Sequence, residues 1–320
     1  MTAEEYIQQE MAAGRRAHCH HGVWWHSNAI GMCRPMLPFQ LLEPGVVRPS
    51  WRHSFLGYSH LAPAGSPAAR RAFFWVYDES RLRTYGLDSL NHANRKAVAK
   101  AQRGGLTAAR LVNLEPWWED LRALAMSMAR RTHYNRPAEY YETHFGEWQA
   151  ALRREFSKPG REWWGVFSAE GRLGAYMYSV LIEDTMHLLV TKVHSDFLPL
   201  RASDYLYFSM LEYARDLPGC RQVNTGRGSQ AAGVDRFKAG HGFRPCEVGE
   251  YTTYAAPLAF VLKKTWEFER RHSAQACGAV RGSAGYRRAL TMARRIAPAD
   301  ETNEAEAAPA NSSDRSGESA

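Results

Sequence analysis

The stretch that most constrains this 320-residue chain is residues 185–245, which reads as strand, loop, amphipathic helix, strand, glycine-rich turn, short helix and the start of another strand. Met186 to Val193 form an almost unbroken apolar run, as expected of a strand covered on both faces. The helix sets Ala202, Leu206, Met210 and Tyr213 on one stripe and stops at Leu217-Pro218-Gly219, which cannot continue it. A second strand, Arg221–Thr225, follows. A crossover of this length joins parallel strands, and a ligand then sits beyond their carboxyl ends, near Val193–Ser195 and Asn224–Gly228.

Composition is that of an ordinary globular protein, with 45% hydrophobic and 23% charged residues. The start, MTAEEYIQQE, is acidic where a secretory leader is basic, and no apolar run approaches the ~20 residues of a membrane span. Five cysteines (Cys19, Cys33, Cys220, Cys246 and Cys277) form no CxxC pair, so free thiols and a cytoplasmic location are expected. The net charge is +8, although residues 298–320 are acidic, so the remainder is more basic still. A body that basic suits phosphates, coenzyme A or RNA, and equally suits a merely soluble surface.

From the N-terminus, residues 1–15 predict a short helix that frays. His18, Cys19, His20, His21, His26 and Cys33 crowd together, but adjacent His-Cys-His-His cannot converge on one ion from a regular element, and no metal is expected. Residues 34–70 hold six prolines and allow only short strands and turns. Arg71–Tyr77 is a strand. A helix from about Ser89 to Arg103 carries Lys96, Lys100 and Arg103 on one face, with Arg95 beside them: an anion-binding stripe or a solvated face favourable to the helix dipole. A strand Leu106–Leu114, a helix from Pro116 through Arg131 and a second helix over 138–156 follow, ended by Lys158-Pro159-Gly160. Trp163–Ser168 and Leu173–Glu183 form a hairpin that feeds the parallel unit, and Arg244–Tyr254 extends the sheet. Helices are expected after Pro257 and near Gly285–Ile296, then a disordered tail. The expected organisation is a proline-rich region 1–70, an α/β half 71–158, a third unit 159–297 and the tail 298–320.

This order of elements, with DRFKAGHGFRP closing it, is similar to the GNAT acyltransferase fold, a mixed α/β sheet with an antiparallel meander, a parallel strand pair and flanking helices. The Phe237-Lys238 pair and the basic helix resemble the Fem-like branch of peptidyltransferases and related acetyltransferases. The resemblance implies transfer of an acyl or aminoacyl group to an amine, with acyl-CoA or aminoacyl-tRNA as donor and no metal. It also implies tRNA and a small-molecule or cell-envelope-precursor amine as partners. The chain departs from the pattern in three ways. The loop HSDFLPLRASD carries Arg201 but none of the glycines of the GNAT pyrophosphate loop. Phe237 stands where many such enzymes have a proton-donating tyrosine. No paired tRNA-binding helical arm is evident.

The candidate catalytic residues are Lys238, as an oxyanion or leaving-group stabiliser, and His194 and Asp196, as bases for the amine. Lys238 is otherwise a surface lysine near a helix end, and His194 otherwise a hydrogen-bonded strand-end residue. Lys192, Val193, Arg201, Asn224, Thr225, Arg227 and Phe237 are the candidate donor-binding residues. The missing glycines and Phe237 leave an alternative: an inactive GNAT-like module that binds a nucleotide, RNA or an acyl carrier.

Overall fold

The computed structural model describes residues 1–27, 32–54, 56–67, 69–131, 136–228 and 232–255. Its framework is one sheet of eleven strands: β1 (Ala17–His20), β2 (Val23–Ser27), β3 (Met32–Pro35), β4 (Gly57–Ala62), β5 (Arg70–Tyr77), β6 (Thr107–Arg110), β7 (Arg161–Phe167), β8 (Leu173–Ile182), β9 (Thr185–Val193), β10 (Gln222–Arg227) and β11 (Arg244–Tyr254). They lie in the order β1-β2-β3-β4-β11-β5-β10-β9-β8-β7-β6. The pairs β9–β10 and β3–β4 are parallel and the others antiparallel, so the expected GNAT-like mixed sheet is borne out.

Side-chain alternation along β8 assigns the layers. Ala175 and Met177 point to one face, where α7 (Ala202–Asp216) and α3 (His92–Arg103) cover the main core. Tyr176 and Tyr178 point to the other, joined by Leu173 because the register shifts at Gly174, against α4 (Trp118–Arg131) and α6 (Phe145–Phe156). The remaining helices are α1 (Ala3–Ala12), α2 (Glu79–Leu82), α5 (Ala138–Thr143) and α8 (Ala232–Gly240). The expected stripe of α7 is buried at Ala202, Leu206 and Met210, but burial extends further, to Tyr207, Phe208 and Leu211.

Several expectations need correction. The N-terminal helix does not fray: Thr2 and Glu5 form a reciprocal capping box, and Tyr6 packs on Val180 and Ile182 of β8. The helix expected over 138–156 breaks at His144, whose ψ of 32° interrupts it between α5 and α6. The strand expected over 106–114 runs only through Thr107–Arg110, with one last bond from the Leu111 N–H to Trp163 O at 2.8 Å. The helices placed after Pro257 and near Gly285–Ile296, and the tail, lie outside the described residues.

α1 is fixed by charge as well as by packing. Glu10, 2% exposed, meets Arg161 at 2.7 Å, Lys158 at 2.9 Å and Arg15 at 3.2 Å. Removing one partner of a buried ion pair strands the others. Glu10→Ala is therefore expected to lower stability by about 3 kcal/mol, the low end for a broken buried pair. Glu155 limits the damage, because it still neutralises Arg161 and Lys158. An unchanged urea midpoint would contradict this.

Candidate active site

β9 and β10 run side by side for only three rungs, Gln222 opposite Thr185, Val223 opposite Met186 and Asn224 opposite His187. Both strands then bend by local chemistry. On β10, Asn224 Oδ1 accepts from the Gly226 N–H at 2.7 Å, and Gly226 takes a φ of 84°, which favours a glycine. β10 turns away towards β5 there, with a register shift between Asn224 and Arg227. On β9, the extra residue Leu189 lies between the rungs Ser179–Leu188 and Tyr178–Val190 and forms a bulge. The two strands open into a slot at their carboxyl ends.

Backbone donors face that slot. The His194 N–H is spent on Gly174 O at 2.8 Å, across β8. Alternation along a strand then points the N–H and C=O of Val193 and Thr191 the other way, towards the space β10 has left. Arg131 of α4 donates to the Val193 carbonyl at 2.9 Å. Sequence reasoning missed Arg131, because nothing in α4 ties its last residue to β9.

Lys238 is not a surface lysine. It is 7% exposed, and its Nζ donates to Thr225 O at 3.1 Å and Arg227 O at 2.9 Å. α8 thus grips β10 where it diverges from β9. Burial holds the Lys238 pKa below the ordinary lysine value, partly offset by Asp235. Two of its three protons are committed, leaving one proton and the charge.

Phe237 lies edge-on to Tyr207 of α7, with ring centroids 5.0 Å apart, and beside His241 at 4.6 Å. Tyr207 has the side chains of Thr191 on β9 and Thr225 on β10 beside it. Burial raises its pKa, and the two threonines oppose the rise. His241 is fully buried with Nε2 3.4 Å from Asp204 Oδ1. Tyr207 and Asp204 went unnoticed in the sequence, where they look like ordinary residues of an amphipathic helix.

The other candidates scatter. His194 Nδ1 accepts from the Asp196 N–H at 3.2 Å and caps the turn Ser195–Phe197, while the Asp196 side chain is 69% exposed. Ser127 of α4 pins that turn by accepting from the Ser195 N–H at 2.9 Å. Lys192 is half-buried, with its pKa lowered by burial. Arg201 is exposed at the start of α7 with a φ of 65°, the left-handed geometry a loop glycine would adopt freely. Arg227 pairs with Glu250 at 2.6 Å and lies over Phe74. His187, at the last paired rung, stacks on Phe39, and burial lowers its pKa to about 4. Arg95, Lys96, Lys100 and Arg103 are exposed on α3. Of the His/Cys cluster, His18 stacks on His53 and His20 Nδ1 lies 2.7 Å from Arg48 O. Among the described residues no group of three His, Cys, Asp or Glu could hold a metal ion, and no helix is long and apolar enough to cross a membrane.

A sheet whose parallel pair opens beside a bulged strand, crossed by a helix on each side, defines the GNAT class of fold. Comparison with known proteins agrees on the fold: residues 92–239 match the family model for the acetyltransferase (GNAT) domain. The structure of FemX has the same fold, with a TM-score of 0.51 at 11% identity over 80% of this chain and 92% of FemX. So does the C-terminal domain of a protein named as a lysylphosphatidylglycerol synthetase from Agrobacterium fabrum, with a TM-score of 0.52 at 10% identity over 79% and 92% of the two chains. No curated protein matches the sequence.

Proposed function

We propose that this protein is an N-acyltransferase that moves an acyl or aminoacyl group from a phosphate-bearing donor directly to an amine, without an acyl-enzyme. The observation that carries the reading is the slot between β9 and β10, with the Thr191 and Val193 N–H groups on one wall and the Lys238 ammonium on the other. An acyl carbonyl seated against β9 would accept from those N–H groups, which strengthen as negative charge develops on its oxygen. Holding donor and amine in line supplies much of the remaining acceleration. His194, at the mouth, is the group proposed to take the proton the amine sheds, through its free ring nitrogen, with Asp196 beside it.

The donor is acyl-CoA or aminoacyl-tRNA, both polyanionic, and the exposed cations of α3 and Arg201 suit either. The acceptor is a small-molecule or cell-envelope-precursor amine. Free thiols at Cys19, Cys33, Cys220 and Cys246 support work in a reducing cytoplasm. The competing reading, an inactive module that only holds a nucleotide, RNA or acyl carrier, is favoured by Phe237 and the glycine-free loop. Acetyl-CoA and aminoacyl-tRNA are to be incubated with the protein and free lysine, a lysine-ended peptide or an amino sugar, with products read by mass spectrometry. An amide from at least one pair is expected. Thermal stabilisation by a donor with no amide from any pair would leave only the binding module.

A further inference from the structure

We infer that the loop 41–54, braced against the sheet edge at β1, is a docking surface for a bilayer that carries anionic headgroups. The inference is independent of the acyltransferase reading.

Single exposed apolar residues are ordinary, whereas several gathered on one loop mark a contact surface. Of the eight large hydrophobic residues exposed among the described residues, three fall on this loop: Trp51 at 78%, Val46 at 71% and Leu41 at 49%. Their neighbours in sequence do turn inward. Leu42 and Val47 pack with Trp25 and Cys33, and Pro49 is buried. The outward residues are thus displayed by an anchored loop.

The histidines and cysteines that crowd the N-terminal sequence supply the anchors. His18 stacks on His53 with ring centroids 3.9 Å apart, and His20 Nδ1 donates to Arg48 O at 2.7 Å. Ser27 Oγ and Cys33 Sγ both donate to His53 O, at 2.8 and 2.9 Å. Trp51 and Arg52 are thereby held at the surface, with the Arg52 guanidinium 5.6 Å from the centre of the Trp51 ring.

Charge names the occupant. Arg48 and Arg52 are exposed, and no acid among the described residues pairs with either. Glu43 is the single acid of the loop. Arg16, exposed where the chain enters β1, adds a third cation. A tryptophan sits best at the boundary between headgroups and acyl chains. Arginines are drawn to anionic headgroups, and aliphatic side chains enter the apolar layer. A bilayer takes all three together. RNA would engage the arginines and stack on Trp51, but it offers nothing to Val46 and Leu41. β1 is the outermost strand on this side, so no further strand lies beyond the loop's brace.

The test uses the full chain, sedimented with vesicles of phosphatidylcholine alone or mixed with phosphatidylglycerol. Its tryptophan fluorescence is followed in parallel with brominated phosphatidylcholine in the mixture. Binding to the mixed vesicles is expected, weakened by added salt. Arg48→Glu combined with Arg52→Glu should weaken it by at least about 30-fold, the attraction of two cations near an anionic surface. Trp51→Ala combined with Val46→Ser should weaken it by at least about 10-fold. Trp51→Phe alone should keep the binding and lose most of the bromine quenching. All four side chains are exposed, so each variant should keep the wild-type urea midpoint. No binding of the wild-type protein to mixed vesicles, or binding that both double variants retain, overturns the inference. So does RNA bound through the same residues in place of vesicles. Self-association lost in Trp51→Ala, again in place of vesicle binding, gives the loop to a second copy and equally overturns it. Acyl transfer from soluble donors should be the same in all these variants, so failure here leaves the acyltransferase reading untouched.

Discussion

Lys238→Met is expected to reduce acyl transfer by about 100- to 1,000-fold, the range for losing one preorganised charge at a developing oxyanion. Methionine fills the same volume and is easily buried, so the core around α8 survives. What disappears is the ammonium that bonds the carbonyls of Thr225 and Arg227. Each buried carbonyl left open costs about 1–3 kcal/mol. The relief of a buried charge offsets part of this, so the net fall in stability stays near 2 kcal/mol. Single-turnover transfer and a urea titration on the same sample check both halves. A variant with full activity would remove Lys238 from the chemistry and leave it as a clamp on β10.

Gly174→Ala is expected to be nearly as damaging, from the opposite wall. A Cβ built there would lie 1.9 to 2.2 Å from ring carbons of Phe197, and Phe197 is itself buried in the main core. Its turn, Ser195–Phe197, carries His194 and fixes the end of β9, and Gly174 O accepts the His194 N–H. Overpacking of this severity costs about 3 kcal/mol, and the turn moves with the ring. Stability and transfer should fall together in Gly174→Ala and recover in part when Phe197→Leu is added, a coupling expected only of residues in contact. A simple sum of the two single effects would refute the account.

The parallel unit was legible because it is written in local chemistry. The apolar run of β9, the break at Leu217-Pro218-Gly219 and the Asn-Thr-Gly turn each act over a few residues, and the strands they delimit do run in the same direction. The FK pair also drew attention to Lys238, but its burial was not readable: whether a lysine near a helix end faces water depends on where the helix lands. Tyr207 was hidden for a related reason. Periodicity marks which face of a helix is apolar, and a tyrosine on that face looks like core until the strands in front of it are seen to part. Glu10 shows the same limit. An acid in an N-terminal helix reads as solvated, and only the arrival of Lys158 and Arg161, some 150 residues later in the chain, makes it a buried anchor.

β11 has a consequence for how the molecule comes together. Its first half pairs with β5 and its second half with β4, so one strand joins two stretches of sheet that share no other pairing among the described residues. Strands made early in synthesis therefore wait for one made late. Until Arg244–Tyr254 has left the ribosome, β4 and β5 each present a naked edge where that partner belongs, open to mispairing with other chains. Contacts this distant along the sequence slow assembly. The seam that completes the sheet is thus also its point of greatest exposure during biogenesis.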